Sequence, residues 1–398
     1  MTNDTLKEVT LGEIGTISRG KSKHRPRHDQ ILFTNGKYPM IQTGDVKQTY
    51  KYLYSYDKAY NEVGLKQSKL WPKGTLCITI AANIAESAIL GIDACFPDSI
   101  VGFLPDKKKC NVEYIYYFIQ NYKKDIQRLA YGTVQDNINL KTFDKVKIPL
   151  PSLLKQKQIV SILGSLDRKI EINNNMNKTL EEMAITLYKH WFIDFGPFQD
   201  GGFMESGLGM IPKGWEVLLI SEVMELAYGK ALKKDARIPG EVPVYGSSGV
   251  VGWHDDPLAQ GPGVVIGRKG NAGTVMWVFN DFYPIDTTYY VIPKIEKSSL
   301  YYIYYSLVFK NLSLLGSDSA VPGLNRNIAY DQKVIFPPIN HQQEFDKLLA
   351  KYFKQYELNK NEVKTLTDVR DYLLPRLLSG EIEINEAKEK LQEVLTNE

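Results

Sequence analysis

Only three of the 398 residues are cysteine: Cys77, Cys95 and Cys110. An odd count without metal-ligand spacing argues against a disulfide framework and a zinc site, and leaves three reduced structural residues. No histidine pair has zinc spacing. The most apolar stretch, residues 74–82, is far shorter than the ~20 residues a membrane span requires. The polar start Met1-Thr2-Asn3-Asp4 is no signal peptide, so the cytoplasm is the expected compartment and no membrane partner is expected. A nucleotide loop is missing as well: Gly267-Arg268-Lys269-Gly270-Asn271-Ala272-Gly273 has neither G-x-G-x-x-G spacing nor the Lys-Ser/Thr ending of a P-loop. Pro97-Asp98 followed by Asp106-Lys107-Lys108 matches the carboxylates and lysine of a metal-dependent nuclease, but so short a string arises easily by chance. No catalytic residue and no metal ligand is assigned.

The net charge of +3 hides an uneven distribution. Residues 1–151 carry 22 Lys+Arg against 15 Asp+Glu, 152–202 carry 6 against 6, 203–338 carry 12 against 13, and 339–398 carry 9 against 12. A basic excess in the first segment is what a phosphate-binding surface requires, although a solvated face has the same composition.

The chain is written twice. Val112-Glu113-Tyr114-Ile115-Tyr116-Tyr117 returns as Leu300-Tyr301-Tyr302-Ile303-Tyr304-Tyr305, an offset of 188. Gly132-Thr133 through Ile138-Asn139 returns as Ser319-Ala320 through Leu324-Asn325, and Ile148-Pro149-Leu150-Pro151 as Phe336-Pro337-Pro338. Gln156 returns as Gln342, where the offset has settled to 186. Two homologous halves imply two equivalent tasks. The expected order is a first domain at 1–151, a long helix and linker at 152–202, a second domain at 203–338, and a second long helix and tail at 339–398. Dense turn signals and short β-like runs predict mixed α/β or mostly β domains, with helices over 114–129 and 300–315.

Each half ends in a helix-like run with an unbroken 4,3,4,3 spacing. The first runs through Ile159, Leu163, Leu166, Ile170, Asn173, Asn177, Leu180, Ala184 and Leu187. The second runs through Phe345, Leu349, Tyr352, Tyr356, Asn359, Val363, Leu366, Arg370 and Leu373. These are heptad seams, predicting two long helices that pair as a coiled coil. Asn173 and Asn359 hold the same seam position, where a buried amide costs stability but sets helix-pair register. A solvated helix face is the bland alternative. An antiparallel pair would relate the two domains by a pseudo-twofold axis and hold them apart, a geometry suited to duplex DNA with two half-sites. The expected fold class is therefore α+β: two α/β domains separated by two long antiparallel helices.

Candidate DNA contacts follow from residue chemistry. Arg and Gln suit guanine and adenine edges, and Lys suits phosphate. In the first domain these are Arg19, Lys21, Lys23, Arg25 and Arg27, in a loop read as flexible that also holds His24 and His28, then Gln42, Thr43 and Asp45. In the second they are Tyr245, Ser247, Ser248, Arg268, Lys269, Asn271, Thr287, Asn325 and Arg326.

Together these features resemble the specificity subunit of Type I restriction-modification systems. The resemblance covers essentially the whole chain, through the duplicated order of domain and helix, Tyr38-Pro39-Met40-Ile41-Gln42-Thr43-Gly44-Asp45-Val46, and the run from Val242 to Thr287. Lys155 and His341 stand where that family commonly has Glu, and Ser319 where the first copy has Gly132. The resemblance implies two target-recognition domains, each reading one half of a split, asymmetric target on double-stranded DNA. It implies no chemistry and no cofactor in this chain itself. Two adenine-N6 methyltransferase subunits using S-adenosylmethionine would be recruited, with two restriction subunits using ATP and Mg. Phe336-Pro337-Pro338-Ile339 lacks the amide and the aromatic of the methyltransferase loop that grips a flipped base. The alternatives are a subunit serving a fused Type IIB-like methyltransferase-nuclease, an orphan or exchangeable subunit, and, more remotely, a coiled-coil protein adaptor that does not bind DNA.

Overall fold

The computed structural model describes residues 6–81, 83–131, 140–315 and 323–396. Residues 132–139 and 319–320, which carry part of the internal repeat, lie outside the described residues. Two compact units emerge: Met1–Glu171 with Val363–Glu398, and Ile172–Glu362. Their boundaries fall inside the two long helices, Leu153–Phe192 of 40 residues and Ile339–Ser379 of 41, so each unit takes a part of both.

The first unit is built on an antiparallel sheet in which Gly15–Arg19, Ile100–Pro105, Leu76–Thr79 and Ser87–Leu90 lie side by side. Tyr52–Leu53 adds a parallel edge strand. Side chains alternate across it, as strand geometry requires. Leu76 and Ile78 enter the core shared with Tyr114, Ile115 and Phe118 of the helix Val112–Tyr131, while Cys77 faces a separate cluster with Trp71 and Phe96. The three cysteines are unpaired and buried, and burial pushes the Cys110 thiol up to about 12.

The second unit repeats this sheet: Met224–Tyr228, Thr288–Pro293, Gly263–Gly267 and Val275–Val278 pair in the same order. Val264 and Ile266 face the core under the helix Leu300–Lys310, and Val265 faces Val278 and Phe282. The helix expected over 300–315 stops earlier. Asn311 takes a left-handed conformation (φ 50°), which asparagine tolerates, and a 3-10 turn follows over Leu312–Leu315.

The two domains share a backbone frame well beyond the legible repeat. Thr79 N–H donates to Glu86 O, Ala85 N–H to Thr79 O, and Ile80 N–H to Ser99 O. At the 188 offset, Gly267 N–H donates to Thr274 O, Gly273 N–H to Gly267 O, and Arg268 N–H to Thr287 O. Gly20 and Gly229 are likewise matched: a Cβ on either would lie 2.2–2.3 Å from a carbonyl oxygen, of Phe96 and Pro97 or of Ile285. Each frame adds a parallel strand contact, Met40 with Cys95 and Val244 with Tyr283.

A buried glutamine ties each tyrosine helix to the strand end preceding its long helix. Gln156 accepts from Asn111 N–H (2.8 Å) and donates to Pro151 O (2.9 Å). Gln342 accepts from Ser299 N–H (2.8 Å) and donates to Pro337 O (2.8 Å). Tyr114 and Tyr302 hydroxyls both donate to that strand as well, to Pro149 O and Ile335 O.

Within each unit the long helices run antiparallel. In the first, Leu163, Leu166 and Ile170 share a core with Leu366, Leu373 and Leu377, and Asp167 meets Arg370. In the second, Asn177 accepts from Asn359 (2.9 Å) and Asn173 donates to Glu362 (2.6 Å), all three asparagines being buried. Asn173 and Asn359 thus bond to different partners, because the antiparallel stagger sets each opposite another turn. Among the described residues no helix is long and apolar enough to cross a membrane, and no group of three or more His, Cys, Asp or Glu is placed to hold a metal ion.

Candidate nucleic-acid interface

In the second domain the frame gathers most of the predicted residues at one end of the sheet. Arg268 and Lys269 leave the strand Gly263–Gly267, and both backbone amides donate to Thr287 O, at 2.8 and 3.2 Å. Arg268 O in turn accepts from Leu324 N–H, which brings Arg326 alongside. Asn271 donates to Ser248 Oγ at 3.1 Å, closing the Gly267–Gly273 turn onto the Ser247-Ser248 turn. A side chain at Gly267 would strike Asn271 O at 2.1 Å, so the turn is as tight as its glycines permit.

Two predicted residues have other duties. Asn325 caps the helix Arg326–Tyr330 by accepting from Asn327 N–H. Tyr245 is half-buried against Phe282, and that burial raises its pKa.

Tyr228 was not foreseen. Exposed at the end of Met224–Tyr228, its ring lies 4.9 Å from the Arg268 guanidinium and 4.6 Å from that of Arg326. Arg268 Nη1 also donates to Asp286 O (3.0 Å). Tyr289 packs beside Tyr228, and burial, then the neighbouring Tyr228, raise its pKa. Neither arginine has an ion-pair partner among the described residues.

The basic loop of the first domain is organised rather than free. Arg25 donates to Ser22 O and His24 O, both at 2.8 Å, and Arg27 pairs with Asp98 at 2.7 Å. Gln67 Oε1 accepts from the amides of Lys23 and His24, and Asp29 is held below its ordinary pKa by the bond from His24. Arg19, Lys21 and Lys23 keep side chains with no protein partner among the described residues. Asp45 brackets the start of the helix Thr43–Gln48 by accepting from Gln42 N–H (2.7 Å), with Thr43 the first residue of that helix.

The shared frame also nominates residues that residue chemistry alone passed over. Asn83 stands where Asn271 stands, and accepts at 3.3 Å from Lys47 of the helix Thr43–Gln48, whereas Asn271 donates to Ser248 in a turn. Asp98 likewise matches Asp286. Those two identities at offset 188 were the available signal.

Known proteins agree with this architecture. The family model described as Type I restriction modification DNA specificity domain matches residues 3–182 and 212–368. The Type I restriction enzyme MjaIX specificity subunit of Methanocaldococcus jannaschii is 26% identical, over 96% of this chain and 94% of that one. The HindI specificity subunit of Haemophilus influenzae is 23% identical, over 94% and 99%. The crystal structure of a Type I restriction-modification S subunit from M. genitalium superimposes with a TM-score of 0.67 at 16% identity, covering 95% of this chain and 97% of that one, a likeness of fold. With a duplicated frame, two long helices and a family match over most of its length, the chain belongs to the Type I restriction-modification specificity subunits.

Proposed function

We propose that this chain is the sequence-reading subunit of a Type I restriction-modification complex, binding double-stranded DNA with one domain per half-site. The observation that carries the reading is one backbone frame built twice with different side chains at matched positions. Arg19 matches Tyr228, and Ile80 matches Arg268. Equivalent frames suit equivalent grooves, and different side chains suit different bases, so the target is bipartite and asymmetric.

In this reading the chain performs no chemistry and binds no cofactor. Two adenine-N6 methyltransferase subunits would supply S-adenosylmethionine-dependent modification, and two restriction subunits would supply the ATP- and Mg-dependent steps. The paired asparagines of the helices would set register between the two copies.

The test is the methylome of cells carrying the cognate methyltransferase with and without this chain. A split motif with one N6-methyladenine in each half, present only with the chain, is expected. An unchanged methylome alongside a demonstrably active methyltransferase would overturn the proposal.

A further inference from the structure

We propose that Arg268, seated on Tyr228 beside Arg326, is the guanine-reading group of the second domain. This rests on the DNA-reading function proposed above and names one base and the side chains that read it.

Three features converge. The Arg268 guanidinium is fixed by two constraints, the Tyr228 ring at 4.9 Å and the Asp286 carbonyl at 3.0 Å from Nη1. Its Nη2 and Nε have no protein partner among the described residues. A second guanidinium, Arg326, lies 4.6 Å from the same ring, and its buried Nε has no hydrogen-bond partner.

Two adjacent cations without a carboxylate repel each other, a cost that an acceptor-rich ligand offsets. Phosphate and guanine both offer acceptors. A guanidinium fork matches guanine O6 and N7 together and can also grip a phosphate with two parallel bonds; guanine is the acceptor proposed, and the salt slope separates the two. Tyr228 is then a positioning residue, holding the fork as a stacking platform.

The experiment enriches a double-stranded library, with two randomised blocks, on the full chain at several salt concentrations. The wild type should select guanine at one position of one block. Arg268→Lys, which keeps the charge but loses the fork, should reduce that preference roughly ten- to hundredfold and leave the other block unchanged. Placing 7-deazaguanine at that position should reproduce the loss in the wild type and add little to the variant. Tyr228→Leu should broaden the same position; should it fail to fold, Arg268→Lys still decides. Unaltered guanine selection by Arg268→Lys overturns the proposal. So does uniform weakening by Arg268→Ala with a salt slope lower by about one, the signature of a phosphate contact. A wild-type chain that selects no sequence overturns the DNA-reading function beneath it, a result distinct from either.

Discussion

Asp167 on the first long helix lies 3.6 Å from Arg370 on the second, and the residues at their repeat positions are Phe353 and Ala184. Asp167 is buried and also accepts from the hydroxyls of Tyr50 and Tyr117, so one carboxylate joins both helices and two domain tyrosines. In the second unit Ala184 and Phe353 instead line a cavity of about 280 Å³ with Trp277, Tyr304, Tyr305 and Tyr356. One duplicated scaffold has thus been given a polar joint in one unit and an aromatic one in the other.

Removing the Asp167 carboxylate takes the acceptor from the hydroxyls of Tyr50 and Tyr117, while Arg370 keeps Asp371, at 2.8 Å from Nη2. Asp167→Ala is therefore predicted to cost about 3 kcal/mol, mostly through the two stranded hydroxyls. Asp167→Phe combined with Arg370→Ala, which installs the second copy's residues, should cost less than the sum of the single changes. Urea unfolding of the four proteins checks this; a fully additive cycle would refute the coupling.

Gln156→Ala and Gln342→Ala each expose a buried amide and carbonyl to no partner. Both should lose about 2 kcal/mol, each in its own unit, because the two glutamines share the bonds to a helix-start amide and to a proline carbonyl. Hydrogen exchange at Asn111 and at Ser299 reports the two separately.

Asp346, at the start of the second long helix, has a pKa raised by burial, opposed by the bond from Ser299. A carboxyl whose folded pKa exceeds its unfolded value favours folding while protonated, and loses that contribution as pH rises through the folded pKa. Asp346→Asn should therefore gain stability relative to wild type above the carboxylate range, and the gain should vanish below it. Melting temperatures from pH 3 to 8 give the sign directly.

The Arg27–Asp98 pair is about half exposed, so it contributes little to stability. It does close the basic loop. Arg27→Ala and Asp98→Ala are predicted to weaken reading of the first half-site alike, with melting shifted little. Selected-library sequencing would count against this if only the arginine variant lost the half-site, which would place Arg27 in direct contact with DNA.

Replacing both Asn177 and Asn359 with Leu should raise the melting temperature and broaden the tolerated spacer between half-sites. Apolar seam residues pack in more than one register, whereas paired amides do not. An unchanged spacer preference would remove register from their role.

The sequence by itself determined the duplication, the order of domain and helix, and both heptad seams, down to the buried Ile159, Leu163, Phe345, Leu349 and Leu373. These are linear signals: a repeat is an offset, and a helix seam is a period of residues close along one chain. Only the tertiary structure decided which cations are spent on the protein and which stay available. Arg25 and Arg27 read the same as Arg19 in sequence, yet Arg27 finds its partner in Asp98, 71 residues away. The match between the two domain frames was equally hidden, because backbone amides and carbonyls carry it and almost any side chain can ride on them. Tyr228, Arg268 and Arg326 are separated by 40 and 58 residues, and no local pattern marks them as neighbours. Their meeting exists only once three strand and helix ends have been brought to one edge of a sheet.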